Sequence, residues 1–306
     1  MSGLNRRNFL ATLTTGALAT ACSSAVQSAQ MGADPVFRYC LNTSTISGQD
    51  PGLPGYLEIA SEAGYDGVEL WVRDVKTYLE KGNSAASLKQ LITEKGLTVE
   101  GAIGFAPWLK DQAGMDQMRT EMEMMKSIGC KRMAAPASGL TADDELDFAD
   151  AGKKFHQLLN SGNELGIKPC LEFWGTSNVL WNMSQVLAIA AYANHPDVKI
   201  LADVYHMFRG GSGFETLKML NGNILELFHM NDYPDSIPRL EQTDGDRVYP
   251  GNGAAPMKQI LTDLKNMGGE KVLSLELFNK NYWNRDPLTV AKTGLQKMKN
   301  LVKEIE

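Results

Sequence analysis

Beyond residue 31 the 306-residue chain has no apolar run of 18 residues, so that portion holds no segment able to cross a bilayer as a helix. Positive charge is also scarce. The 30 Lys and Arg are outnumbered by 36 Asp and Glu, the formal net charge is −6, and no basic run offers a track for nucleic acid. A small neutral or anionic ligand suits such a chain better. Its four cysteines show no C-x-x-C or C-x-x-H spacing, which leaves no ground for thiol catalysis. Cys40 and Cys170 fall in strand-like runs and read as buried thiols rather than as a bridge. No low-complexity segment follows the first 30 residues.

Those first 30 residues differ from the rest and read as an export signal. Arg6-Arg7 precede Phe9-Leu10 and an apolar stretch to Ala21. At about 12 residues that stretch is too short to span a membrane, and paired arginines before Phe-Leu resemble the twin-arginine signal that exports folded proteins. Leu18-Ala19-Thr20-Ala21-Cys22 resembles a lipobox with Ala19 in place of Leu, which makes Cys22 a candidate lipid anchor. The expected location is the periplasm, with or without a lipid tether.

From residue 36 short apolar runs alternate with amphipathic stretches. Strands are expected at 36–43, 67–72, 97–103, 132–136, 167–173, 198–203, 224–230 and 272–278. Helices are expected at 53–64, 84–95, 114–129, 143–165, 183–194, 213–221, 256–267 and 287–304. Gly64, Gly96, Gly129, Gly166 and Gly268 follow the helical patterns as C-caps do. Eight βα units, 43% hydrophobic residues and this length point to a single-domain (β/α)8 barrel over residues 31–306, and a doubly wound open sheet is the other arrangement such units make. Met115, Met118, Met122 and Met125 recur at helical spacing and read as a packing stripe.

Four polar side chains stand where apolar runs end: Glu172 in CLEFW, Asp203 in ILADVYH, His229 in LELFHMND and Glu276 in VLSLELF. A carboxylate in a strand buried on both faces is costly unless a cation or donor meets it. One such Glu taken alone reads equally well as half of a buried ion pair with Lys or Arg. Three carboxylates and one His at successive strand ends are the donors a divalent cation takes, and the C-terminal strand ends are where such barrels carry their active sites. The long 231–255 loop, rich in Asp, Pro and Gly, has the length of a functional lid.

At these residues the chain resembles the xylose-isomerase-like TIM-barrel superfamily, which contains hydroxypyruvate isomerase, inosose isomerases and dehydratases, ketose 3-epimerases and metal-dependent apurinic-site endonucleases. The likeness spans about residues 36–300. It implies one divalent metal, Mn²⁺, Mg²⁺, Co²⁺ or Zn²⁺, held by Glu172, Asp203, His229 and Glu276. Asp203-Val204-Tyr205-His206 matches the superfamily's Asp-x-x-His pattern, and Arg247-Val248-Tyr249-Pro250-Gly251-Asn252-Gly253 resembles its Arg-x-x-Pro-Gly-x-Gly loop. By that resemblance His206 and Arg247 contact substrate, while Glu172 and Glu276 double as the catalytic acid and base. Read without it, His206 is an interior imidazole bonded to a carbonyl, and Arg247 a partner of Asp244 or Asp246. The endonuclease branch is excluded by Val248 in place of its loop His and by the lack of His in strands two to four.

The implied reaction is isomerisation or epimerisation of a small non-phosphorylated keto sugar or hydroxypyruvate-like substrate through an enediolate. The alternatives are a lyase or hydratase acting on 3-keto-glycosides by β-elimination, and a sugar-binding protein without turnover. No nucleic acid partner is expected; assembly into an oligomer is left open. Asp232 reads either as a support for a ligand or as a turn cap. Trp71, Phe105, Trp108, Trp174, Trp181 and Phe208 are candidates for a sugar-pocket wall, about half of them for the core instead. Glu69, in GVELW, points into or beside the barrel and reads either as a further site residue or, the preferred reading, as one half of a structural salt bridge.

Overall fold

The computed structural model describes residues 37–306, so the export-signal segment and Cys22 lie outside the described residues. Eight strands run parallel: β1 (Phe37–Asn42), β2 (Gly67–Trp71), β3 (Thr98–Ile103), β4 (Arg132–Ala135), β5 (Lys168–Glu172), β6 (Ile200–Asp203), β7 (Leu227–Met230) and β8 (Lys271–Leu275). Their order is β3-β2-β1-β8-β7-β6-β5-β4. The outer members of that order meet where the Lys131 N–H donates to Val99 O at 3.2 Å and Arg132 Nη1 to Glu100 O, so the sheet wraps into a (β/α)8 barrel. Ten helices surround it: α1 (Gly52–Ala63), α2 (Val72–Glu80), α3 (Ala85–Glu94), α4 (Gln112–Ser127), α5 (Phe148–Leu165), α6 (Met183–Ala193), α7 (Val204–Arg209), α8 (Met257–Asn266), α9 (Lys280–Trp283) and α10 (Pro287–Lys303).

Side chains alternate across each strand, so every second residue points into the barrel. Cys40, Ala134, Cys170, Leu201, Leu227 and Val272 form a dry layer there. Two residues further along the same strands the interior becomes polar, with Asn42, Glu172, Asp203, His229 and Ser274, all buried. The opposite faces pack the larger core against the helices, including Met118, Met122 and Met125 of α4. All three described cysteines are free and buried.

Several elements depart from the sequence expectation. Asp203 ends β6 and also caps α7, accepting from His206 N–H at 2.7 Å, so strand passes into helix with no linker to announce it. Residues 213–221 hold a 3₁₀ segment, Phe214–Met219, because Leu217 alone is buried there, too small an anchor to hold a longer helix against the barrel. Strand β8 stops at Leu275, which places Glu276 just past its end.

The base of the barrel is sealed by charge. Arg132 donates to Glu226 Oε2 at 2.9 Å and to Glu100 Oε2 at 3.1 Å, and Glu226 also meets Lys168 at 2.7 Å and Lys199 at 3.1 Å. Burial opposes ionisation of Glu226, but Lys168, Arg132 and Lys199 outweigh it and bring its carboxyl from 4.5 down to about 2. A depressed folded pKa stabilises the fold fully above the unfolded value and loses that contribution as pH falls toward the folded one. Thermal unfolding followed by circular dichroism should therefore show the melting temperature dropping between pH 4.5 and 2. The drop should be shallower in Glu226→Gln, which starts lower at pH 7.

Candidate active site

The six residues singled out in the sequence converge at the C-terminal mouth. Glu172 is the last residue of β5, Asp203 the last of β6, His229 lies within β7, and Glu276 follows β8. Asp203, His229 and Glu276 each offer one ligand atom within 4.8 Å of the others. His229 Nδ1 is 3.1 Å from Glu276 Oε2 and 3.8 Å from Asp203 Oδ2. Glu172 is buried beside this set and not within it, and its Oε2 has no hydrogen-bond partner.

Arg247 crosses the mouth from the long loop, 1% exposed. Its Nη1 donates to Asp203 Oδ2 at 3.0 Å and Glu276 Oε2 at 2.8 Å, while Nη2 meets Asp244 and lies 3.0 Å from His206 Nε2. Arg247 pairs with Asp244 and also lines the pocket. His206 Nδ1 faces the Gly175 N–H at 3.2 Å rather than a carbonyl. Burial keeps its pKa below the usual value, and a neutral imidazole accepts at only one nitrogen, so only one of the Gly175 and Arg247 contacts is a hydrogen bond at a time.

The two glutamates are pushed in opposite directions. Burial, reinforced by Glu276, Glu69 and Asp203, raises Glu172 to about 8 against the pull of His229. Burial acts on Glu276 as well, yet His229 and Arg247 outweigh it and hold its carboxyl well below the usual carboxylate range. His229, despite the cost of burying its charge, is lifted well above its ordinary value by Glu276 and Glu69.

Acidic oxygens and an imidazole nitrogen, buried and close together, are a donor set suited to a borderline divalent ion, and the unpartnered Glu172 Oε2 supplies a further lone pair beside it. Such an ion competes with Arg247 for the oxygens that the guanidinium now holds, Asp203 Oδ2 and Glu276 Oε2.

Above these groups is a cavity of about 300 Å³ lined by Glu172, His206, Asp244, Arg247, Glu276 and Thr176 on one side and Trp71, Ile103, Phe105, Trp174 and Phe278 on the other. Trp71, Phe105 and Trp174 pack in series with tilted rings, centroids 5.4 and 5.8 Å apart. Trp108 is instead core, bonded to Pro136 O, and Phe208 stacks on Tyr233; Trp181 sits outside the cavity lining. Asp232 is a turn fastener: its carboxylate accepts from the N–H groups of Tyr233, Gly251, Gly253 and Ala255. Gly253 is required there, since a Cβ would stand 2.2 Å from Tyr233 O. With the Asp232–Val248 bridge, this pins both ends of the loop that delivers Arg247.

Sequence reasoning missed Asn42, Asn231 and Ser274. Asn231 Nδ2 donates to Asp203 Oδ2 at 2.8 Å, and Ser274 Oγ donates to Glu69 Oε2 at 2.7 Å. Asn231 follows His229, and Ser274 precedes Glu276, by two residues, and that spacing was the available signal. Glu69 meets no Lys or Arg; its ion-pair partner among the described residues is His229, at 2.9 Å.

A family profile described as xylose isomerase-like TIM barrel matches residues 57–301. The inosose isomerase of Bacillus subtilis (strain 168) is 28% identical over 258 residues, covering 80% of this chain and 91% of that protein. The 3-dehydroshikimate dehydratase of Pseudomonas putida is 25% identical over 262 residues, 80% of this chain and 39% of that protein. Among solved structures, the IOLI protein with a bound zinc atom superposes with a TM-score of 0.80 at 23% identity, covering 88% of this chain and 99% of that one.

The upward shifts of Glu172 and His229 mean that a cation taken up by these groups would displace protons. Titration of zinc into chelator-treated protein, in buffers of different ionisation enthalpy, should register net proton release. Affinity should fall as pH is lowered from 8 to 6.

Proposed function

Because the chain belongs to the xylose isomerase-like TIM barrel family, we propose that it is a divalent-metal-dependent isomerase or epimerase. It shifts a proton on the carbon next to a carbonyl in a small, non-phosphorylated sugar-like molecule. The observation that carries this reading is the pair of glutamates facing one cavity from the end of β5 and from just past β8, Glu172 favouring the protonated form and Glu276 the ionised one. Two carboxyls whose environments separate their proton affinities are the equipment of general acid–base transfer.

Asp203, His229 and Glu276, with Glu172 beside them, are the residues that would hold the ion; when bound, it stabilises negative charge on a substrate carbonyl oxygen. Glu276 and Glu172 take and return the proton. His206 orients a hydroxyl, and Arg247 steadies the oxygen on which charge builds. The aromatic wall of Trp71, Phe105 and Trp174 excludes water and offers faces for a sugar ring. Arg247 is the sole Lys or Arg in the cavity lining and already serves three carboxylates, which supports a substrate without phosphate.

The second reading is β-elimination from a keto substrate, supported by the similarity to a 3-dehydroshikimate dehydratase. It uses the same proton abstraction and differs in the fate of the carbanion, which expels a substituent in place of reprotonation. A sugar-binding protein without turnover is the third, and an acid–base pair has no use in it. We also propose export through the Arg6-Arg7 segment to the periplasm, with Cys22 as a lipid anchor. Changing both arginines to lysine should leave the protein in the cytoplasmic fraction on immunoblotting.

Proton NMR in D₂O, with metal-loaded protein and a panel of ketoses and 3-keto-glycosides, tests the chemistry. Deuterium at the carbon next to the carbonyl together with a rearranged sugar is the expected result. Release of a substituent would favour the dehydratase or lyase reading, and absence of exchange with every substrate would overturn catalysis. Glu172→Gln and Glu276→Gln should each lower turnover by about 10²–10⁴-fold, the usual contribution of a positioned acid or base.

A further inference from the structure

Glu69 in β2 lies below the cavity and is not part of its lining, yet its Oε2 is the meeting point of three donors. These are Ser274 Oγ at 2.7 Å, His229 Nε2 at 2.9 Å and Asn42 Nδ2 at 3.0 Å. Resting on the reading of Asp203, His229 and Glu276 as the metal-binding set, we propose that Glu69 is a positioning residue. With Asn42 and Ser274 it fixes the ring of His229 so that Nδ1 is presented to the metal, and it holds Glu276 to the same side.

Glu69 Oε2 already accepts from Ser274 and Asn42, so the imidazole nitrogen facing it is the one that carries the hydrogen. That nitrogen is Nε2. When His229 gives up its second proton the lone pair is therefore at Nδ1, which is buried 3.1 Å from Glu276 Oε2 and 3.8 Å from Asp203 Oδ2. Ligand histidines held this way by an outer carboxylate keep one tautomer and gain basicity.

The link to Glu276 runs through Asn42. One amide hydrogen of its Nδ2 goes to Glu69 and the other to Glu276 Oε1 at 3.1 Å. Its Oδ1 accepts from Trp71 Nε1 and Ser44 N, each at 3.0 Å, so the amide has one orientation that satisfies every partner. Opposite, β3 makes room for the acid: a Cβ on Gly101 would lie 2.6 Å from Glu69 Oε1. A carboxylate present merely to stabilise the barrel would be met by Lys or Arg, as Glu226 and Glu100 are at the base.

The test compares wild type with Glu69→Gln in the full chain, measuring zinc affinity by calorimetry after chelation and folding by circular dichroism. Loss of an outer carboxylate behind a ligand histidine costs about 10–100-fold in metal affinity, and that weakening, in a folded variant, is the expected result. Unchanged affinity would overturn the role of Glu69 alone. Failure of the wild type to bind any divalent ion would overturn the metal reading and this inference with it. Should Glu69→Gln not fold, Glu69→Asp, which keeps the charge and withdraws it by one methylene, is judged by the same criterion. A readout independent of any variant is the ¹⁵N-histidine spectrum of zinc-loaded wild type, tractable with four histidines in the chain. It should show His229 with hydrogen on Nε2 and metal on Nδ1; metal on Nε2 would overturn the proposal.

Discussion

The mouth of the barrel is organised around one buried cation. Arg247 lies between the rings of Tyr205 and Phe278, with its guanidinium carbon 4.7 and 5.1 Å from their centroids, and joins Asp203, Asp244 and Glu276. Asp203 and Glu276, packed together away from water, repel one another, and the guanidinium is what makes their common burial tolerable, while Asp244 meets it from the half-exposed loop. Because Arg247 belongs to a loop and its partners to β6, the end of β8 and the loop itself, one set of bonds sets the height of the lid above the floor. Asp232 and Gly253 clamp the loop at its root, so the arginine arrives at a defined place.

Beneath this lies a barrel built in layers, which explains how a charged site coexists with a stable core. The base is an ion cluster around Glu226, Glu100 and Arg132; above it comes the apolar layer of Cys40, Ala134, Cys170, Leu201, Leu227 and Val272. Burying Leu201, Leu227 and Val272 contributes about 1.5–3 kcal/mol each. Only above that dry layer do Asn42, Glu69, Glu172, Asp203, His229 and Ser274 appear. The apolar layer separates the two charged ends. Glu172, lacking a cation of its own, keeps its proton while Glu276 gives its up, and the difference comes from placement, since the two residues are chemically identical.

Much of this was legible in the chain, for a definite reason. A strand buried on both faces leaves apolar runs that are easy to see, and an acid at the end of such a run stands out. Glu172, Asp203, His229 and Glu276 were visible on that ground. Asn42, Asn231 and Ser274 were not, since a small polar residue near a strand end is common and carries no charge to account for. Glu69 was seen with its role divided between the site and a structural salt bridge, because the histidine that meets it is 160 residues away in sequence. Helix α7 escaped notice because Asp203 serves as both strand end and helix cap, which removes the turn that normally marks a boundary.

Local sequence determined the repeating βα pattern, the dry interior positions and the chemical character of the residues at the mouth, because these follow from periodicity and from the cost of burying charge. Which acid keeps its proton, which nitrogen of His229 faces its partners, and whether Arg247 reaches the floor were decided by the closed barrel alone. Each depends on distances between residues remote in sequence, and those distances exist only after eight strands have come together around a common axis.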